Sequence, residues 1–206
     1  MSRSALRTSS ETIRIGDVAL ALVRPEEPES LLDDDAFAND EFLPYWAELW
    51  PAGLTLAEAL PDDLNGVRVV ELGCGLGVTS LVAAAKGAHV TATDWALDAV
   101  ELVRENAVGN GLTVRAEVRD WREPWDERFD LALAADVLYE RRNVEPLVRL
   151  LSEIAPAALV GLAGRPYERD FLKRVGEFGR VREDRKVARI ELDDPRHPER
   201  ARTARY

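Results

Sequence analysis

Residues Glu71 to Gly77 read Glu-Leu-Gly-Cys-Gly-Leu-Gly. Ahead of them, Val67, Val69, Val70 and Leu72 describe a buried strand; behind them, Val78, Leu81, Val82 and Ala85 share one face of a helix. A glycine turn between a strand and a helix lets a backbone approach a ligand with no Cβ in the way. The spacing of Gly73, Gly75 and Gly77 is G-x-G-x-G. A dinucleotide fingerprint needs its third glycine where Val78 stands, and a P-loop needs a Gly-Lys-Ser/Thr run that this chain lacks. Glu71, at the strand's end, would repel a pyrophosphate. It suits a ligand with hydroxyls and a cationic amino-acid tail. Asp94 ends the next strand, from His89, where it can accept hydrogen bonds from ribose hydroxyls. Trp95 follows it directly.

Two more strands end in the same way. Val114, Ala116 and Val118 alternate as a strand that leads to Asp120 and Trp121, a carboxylate for an adenine amino group and an indole to cover the ring. Phe129 to Ala135 leads to Asp136 and, three residues on, Tyr139. Open α/β sheets bind ligands beyond the carboxyl ends of their strands, where Glu71, Asp94, Asp120 and Asp136 all fall. Trp46 and Trp50 precede the glycine strand. Either could be plain core, or an aromatic face for the ligand. The ligand that meets these demands is S-adenosylmethionine.

The run from Glu71 to Gly77 resembles the first motif of the class I, seven-β-strand S-adenosylmethionine-dependent methyltransferases, and the resemblance extends from about Trp46 to about Leu192. It implies a Rossmann-like doubly wound α/β sheet of seven strands, in the order 3-2-1-4-5-7-6 with strand 7 antiparallel. Asp136 to Tyr139, Asp-Val-Leu-Tyr, is similar to the Asp-x-x-Tyr motif of the protein-lysine methyltransferases in that class. Pro44 to Gly53 and Gly164-Arg165-Pro166 resemble the electron-transfer-flavoprotein β-subunit lysine methyltransferase branch. In that branch an acid is expected where Leu162 and Ala163 stand. The resemblance implies Asp136 and Tyr139 as catalytic residues, and Trp50, Glu71, Gly73, Gly75, Asp94, Trp95, Asp120 and Trp121 as cofactor-binding ones. The partner is then a protein that presents a lysine. The competing expectations are a small-molecule N- or O-methyltransferase and a cofactor-binding regulatory protein without catalysis.

The remaining elements position these residues. Ile13 to Val23 reads as a small hairpin turning at Gly16-Asp17, after a polar lead from Met1 to about Glu11. Pro25 to Glu41 is strongly acidic and reads as a solvated connector, or as a lip for a cationic substrate. Leu54 to Leu60 is helical in spacing, as are Ala96 to Ala107 and Val144 to Leu151. Ala157 to Ala163 is a strand, Arg169 to Phe178 a short helix, and Arg180–Arg185 with Val187–Leu192 a closing hairpin. The domain organisation expected is an N-terminal extension over 1–45, a cofactor-binding domain over 46–192 and a flexible tail over 193–206.

Composition narrows the alternatives. The chain has 206 residues, 46% of them hydrophobic, which supports one folded domain. Its net charge of −11 argues against a nucleic-acid partner, which calls for a basic surface, and is compatible with a basic protein substrate. One cysteine, Cys74, and two histidines, His89 and His197, give neither a disulfide nor a zinc-ligand set, so no metal is expected. Neither an apolar leader nor a membrane-length run is present, so a cytoplasmic protein without a membrane partner is the default expectation.

Overall fold

The computed structural model describes residues 7–27 and 45–193. The lead before residue 7, most of the acidic segment and all but the first residue of the expected tail lie outside the described residues. The chain opens with β1 (Thr8–Ile15) and β2 (Val18–Pro25), an antiparallel pair turning at Gly16-Asp17. There follow α1 (Pro51–Glu58), β3 (Arg68–Leu72), α2 (Val78–Ala85), β4 (His89–Asp94), α3 (Leu97–Gly109) and β5 (Val114–Val118). The second half holds β6 (Leu131–Ala135), α4 (Val144–Ile154), β7 (Ala157–Gly161), α5 (Glu168–Val175), β8 (Gly179–Asp184) and β9 (Val187–Leu192).

Seven of the strands form one sheet, in the order β5-β4-β3-β6-β7-β9-β8. Numbered from β3, this is 3-2-1-4-5-7-6, and the last strand, β9, runs antiparallel to both of its neighbours. β3, β4, β6 and β7 are parallel to one another and buried on both faces along nearly all of their length, as strands covered by helices on either side must be. On one face Val69, Val90, Leu131, Leu133 and Leu159 pack against Leu56 of α1, Leu81 of α2 and Leu102 of α3. On the other, Val70, Leu72, Ala132, Ala134 and Val160 meet Leu147 and Leu151 of α4 and Phe171 of α5. Between β5 and β6 the chain forms no helix, and Trp125 and Phe129 fill that corner of the second layer. The chain leaves β3 toward β4 and β5, then crosses back to β6 and β7. The connections above β3 and β6 therefore diverge and leave a crevice at their carboxyl ends.

The polar lead expected as far as Glu11 is instead strand from Thr8 onward. Exposure explains the misreading. β1 is exposed along most of its length and is held by backbone pairing with β2, so it needs no apolar alternation. β2 buries Leu20 and Leu22, which join the core of the main sheet. Its opposite edge is tied to α3 by two asparagines one helical turn apart. Val23 N donates to Asn106 Oδ1 at 2.7 Å, and Asn106 Nδ2 donates to Val23 O at 3.0 Å. Asn110 makes the same pair of bonds with Ala21, both at 2.8 Å. The short helix starts at Glu168 rather than Arg169, because the Glu168 carboxylate turns back to accept hydrogen bonds from Ala163 N and Gly164 N.

Asn106 is 1% exposed, so its loss strands two backbone groups of Val23 as well as its own space. Asn106→Ala should lower the unfolding free energy by about 2–3 kcal/mol. Asn110→Ala, at an exposed rung, should cost about 1 kcal/mol or less. Urea unfolding of the two variants checks the order; equal losses would mean that burial does not set the strength of these ties.

Candidate active site

The glycine turn has no side chains with which to hold its own shape. Glu71 and Asp94, both buried, do so from below. Glu71 Oε2 accepts from Ser80 N at 2.9 Å and from the Ser80 hydroxyl, and so pins the first turn of α2 to the end of β3. Asp94 Oδ2 accepts from Gly75 N at 2.9 Å and Oδ1 from Ala96 N at 3.0 Å. Cys74 N and Gly77 N close the turn on Thr93 O and Cys74 O. Burial pushes the Glu71 carboxyl up to about 7, and the bonds from Ser80 and Thr79 offset only part of that rise. Burial likewise raises Asp94, against the N–H groups it accepts from.

The glycines also serve packing. Gly75 has φ +50°, and a Cβ there would lie 3.1 Å from Trp46 O, in the turn Tyr45–Ala47. Gly77, at φ +76°, would set a Cβ 2.6 Å from Val103 Cγ2 of α3. The turn is thus wedged between α3 and the segment that precedes α1.

A cavity of about 760 Å³ opens over the turn, a size suited to a cofactor-scale ligand. All of the residues singled out in the sequence line it: Trp50, Glu71, Gly73, Gly75, Asp94, Trp95, Asp120, Trp121, Asp136 and Tyr139. Trp121 lies against Gly73, and Trp95 is 44% exposed at the rim. Trp50 stands at the N-terminus of α1 with its Nε1 donating to Tyr45 O at 2.7 Å. Trp46, also on the lining, is mostly buried in the core. Asp120 accepts from Arg122 N and pairs with the Arg122 guanidinium, whose hydrogen bonds hold its carboxyl below the usual range. This donor set fits S-adenosylmethionine: carboxylates for an ammonium and a ribose diol, indoles for a purine. Two buried carboxylates against the turn do not fit a pyrophosphate.

At the far end of the cavity Asp136 ends β6 with φ +52°, a left-handed conformation uncommon outside glycine but tolerated by aspartate. Asp136 N donates to Gly161 O at 3.1 Å, which fixes the bend. Its carboxylate is gripped at both oxygens by Arg165, Nε to Oδ1 at 2.7 Å and Nη2 to Oδ2 at 2.9 Å. The same guanidinium lies over the Trp50 ring, 5.6 Å from its centroid. Tyr139 and Tyr45 meet at 5.3 Å between ring centroids, and Tyr45 meets Trp50 at 6.3 Å. Burial pushes the Tyr139 hydroxyl up to about 12. Asn143 Nδ2 donates to Val137 O at 2.9 Å and steadies the loop that carries both. Tyr45 and the grip of Arg165 on Asp136 were not legible as site features. The Gly164-Arg165-Pro166 run pointed to the right loop but not to the residue's partner. Among the described residues no group of histidine, cysteine and carboxylate side chains could hold a metal ion, and no helix is long and apolar enough to cross a membrane.

The sheet order and the carboxylate-and-indole cavity define the class: this is the fold of S-adenosylmethionine-dependent methyltransferases. The 16S rRNA N2 G1207 methyltransferase of T. thermophilus, solved with AdoMet and guanosine, superimposes at a TM-score of 0.67 over 91% of this chain and 50% of its own, at 18% identity, and so shares the fold. Within the class, residues 41–177 match the lysine methyltransferase family model, and the chain belongs to that family. It is 33% identical over 138 residues to protein N-lysine methyltransferase METTL21A of Danio rerio, which covers 60% of this chain and 63% of that protein. It is 31% identical over 135 residues to the electron transfer flavoprotein β subunit lysine methyltransferase of Rattus norvegicus, which covers 60% and 52%. The chain thus spans between half and two thirds of the length of these relatives.

Two expectations follow from the turn. Gly77→Ala combines a left-handed residue with a clash at Val103, and should lower stability by about 2–4 kcal/mol in a denaturant titration. Reversal of much of that loss by Val103→Ala would identify the clash as the larger part. Glu71 has a higher pKa folded than its ordinary value of 4.5, so its contribution to stability is complete below that value and fades as pH rises through about 7. Glu71→Gln, which cannot ionise, should gain about 3 kcal/mol relative to the natural chain between pH 4 and pH 8. A stability difference that does not change with pH would show that Glu71 keeps an ordinary pKa.

Proposed function

We propose that the protein transfers a methyl group from S-adenosylmethionine to the side-chain amine of a lysine in a protein substrate. The observation that carries this reading is the recess formed by Asp136, Tyr139, Tyr45 and Trp50, which opens from the cavity over the glycine turn. Membership of the lysine methyltransferase family supports it. Bound S-adenosylmethionine would supply a methyl group on a sulfonium that leaves readily. What remains for the protein is alignment and the exclusion of water.

In this reading Glu71 and the turn residues Gly73 and Gly75 face the amino-acid end of the cofactor, and Asp94 accepts from its ribose. Asp120, Trp121 and Trp95 enclose the adenine, and Trp50 closes the side toward the acceptor. Each Asp94 oxygen keeps a lone pair beyond the N–H it already accepts, so the ribose can bind without undoing the turn. The acceptor nitrogen approaches between Tyr45 and Tyr139. Asp136 accepts one of its N–H groups on a lone pair that Arg165 leaves free, and so orients the nitrogen. Tyr139, with its hydroxyl held protonated far above neutrality, is a wall and a neutral hydrogen-bonding group rather than a base. The excess of acidic residues, and a cytoplasmic setting, suit a basic protein as the partner.

Incubation of a heat-treated cell lysate with labelled cofactor and the protein should place label in protein bands that yield methyl-lysine on hydrolysis. Label found only in methyl-arginine, methyl-glutamine, nucleobases or small metabolites would refute the lysine assignment. Asp136→Asn should lower transfer by roughly 10²–10⁴ fold and leave cofactor affinity within a few fold by calorimetry. Full activity in that variant would remove Asp136 from the chemistry.

A further inference from the structure

Asp136 is poised to meet an ammonium, yet its charge is already answered. Arg165 holds both of its oxygens in a fork, and a guanidinium stays protonated at every pH the protein meets. The Asp136 side chain is 5% exposed and that of Arg165 35%, so the pair is screened by water on one side only. Trp50 covers the guanidinium in turn. An unpaired carboxylate here would stabilise a lysine in its ammonium form, which has no lone pair and cannot attack a methyl group. A paired one presents an acceptor for N–H with little net charge.

We propose that Arg165 is a positioning residue that neutralises Asp136, and that this keeps the pKa of the bound acceptor amine low enough for it to lose its proton. The proposal rests on the reading of the protein as a lysine methyltransferase. Free lysine has a pKa of about 10.4, so near neutrality only about one amine in a thousand is a nucleophile. Every unit by which the site raises or lowers that value changes the reactive fraction tenfold. The other charged and titratable groups around the pair do not replace Arg165. Glu168, on the same loop, faces the N–H groups of Ala163 and Gly164. Tyr139, its hydroxyl pushed up to about 12 by burial, stays neutral, and the Tyr45 ring packs against it. Glu48, Asp94 and Glu140 line the cavity as further carboxylates, and Arg142 as a further cation, bonded within its own turn to Glu140. The acids already outnumber the cations along this lining, and with Arg165 removed the carboxylate nearest the amine loses its counter-charge.

The step is an ordinary displacement at carbon. The deprotonated nitrogen donates its lone pair to the methyl carbon, the carbon–sulfur bond breaks with its electrons passing to sulfur, and the proton lost beforehand goes to solvent. Arg165 takes no part in any bond that changes.

The test uses the full chain and, as acceptor, the lysine peptide recovered from whichever lysate band takes the label. The pH dependence of kcat, measured at saturating peptide, reports the amine in the complex. Arg165→Gln should move the rising limb of kcat to higher pH by one unit or more, lower kcat about tenfold or more at neutral pH, and leave KM unchanged or lower, because the ammonium form now binds better. Arg165→Lys, which keeps the charge and loses the fork, should return the limb to within about half a unit of the natural chain. Thermal unfolding of both variants accompanies the kinetics. If kcat falls in Arg165→Gln with its pH profile unmoved, or if Arg165→Lys shifts the profile as far as Arg165→Gln does, Arg165 acts through geometry alone and the proposal is wrong. A natural protein that labels no lysine overturns the functional reading together with this inference; one that labels lysine while the profile stays fixed overturns the inference only.

Discussion

A ligand site made of backbone must be held open by something other than itself. Here two carboxylates without water do that work. Glu71 and Asp94 sit under the glycine turn and accept from N–H groups that would otherwise have no partner, at Gly75, Ser80 and Ala96. Each bond ties the end of a strand to the start of the structure that follows it, so the turn, the first turn of α2 and the entry to α3 form one unit. The cost is visible in the raised pKa of both acids. The same acids face the cavity, which means that loop shape and ligand chemistry cannot be altered independently.

The two ends of the cavity are built on different principles. Over the turn, the cavity is bounded by backbone and by carboxylates fixed in place. Near Asp136 it is bounded by aromatic rings in tilted contact and by one ion pair that spans two loops. The first arrangement demands a cofactor of defined shape. The second can admit a long, flexible side chain with a charged tip, and it gives that tip both an acceptor and a counter-charge. Trp50 joins the two ends, since it stands at the start of α1 and supports Arg165.

Much of this was legible because the central parallel strands β6 and β7 are buried on both faces and read as apolar runs, while β5 shows the alternation of a half-buried strand. β3, β4, β5 and β6 end at or beside a carboxylate, and the alternation of strand and helix periods placed those ends together. The first half of β1, before Ile13, escaped because an exposed strand bonded only through its backbone carries no apolar pattern. A second reason for Gly75 was not legible. The spacing announces a turn, but what the missing Cβ makes room for, Trp46 O, comes from a segment distant in sequence. The ion pair of Asp136 with Arg165 escaped for the same reason: the two residues lie 29 apart, on loops after different strands, and neither local period nor motif says where a guanidinium will point. Nothing in the sequence around Asn106 and Asn110 marks the strand they bind.

Those two asparagines have a consequence for how the molecule behaves among its own copies. A strand at the margin of a sheet exposes a row of unpaired amides, and such rows are where chains join into aggregates. β2 belongs to a two-stranded unit and is open on the side away from β1. A helix rises about 6 Å in four residues and a strand about 6.6 Å in two, so amides one helical turn apart fall close to alternate strand residues. Asn106 and Asn110 use that near-match to saturate the N–H and C=O groups of Val23 and Ala21. The apolar strand of the pair is thereby sealed against a foreign strand by side chains alone. Among the described residues the outer edge of β1 pairs with no further strand, and there the chain has put threonine, serine, glutamate and arginine.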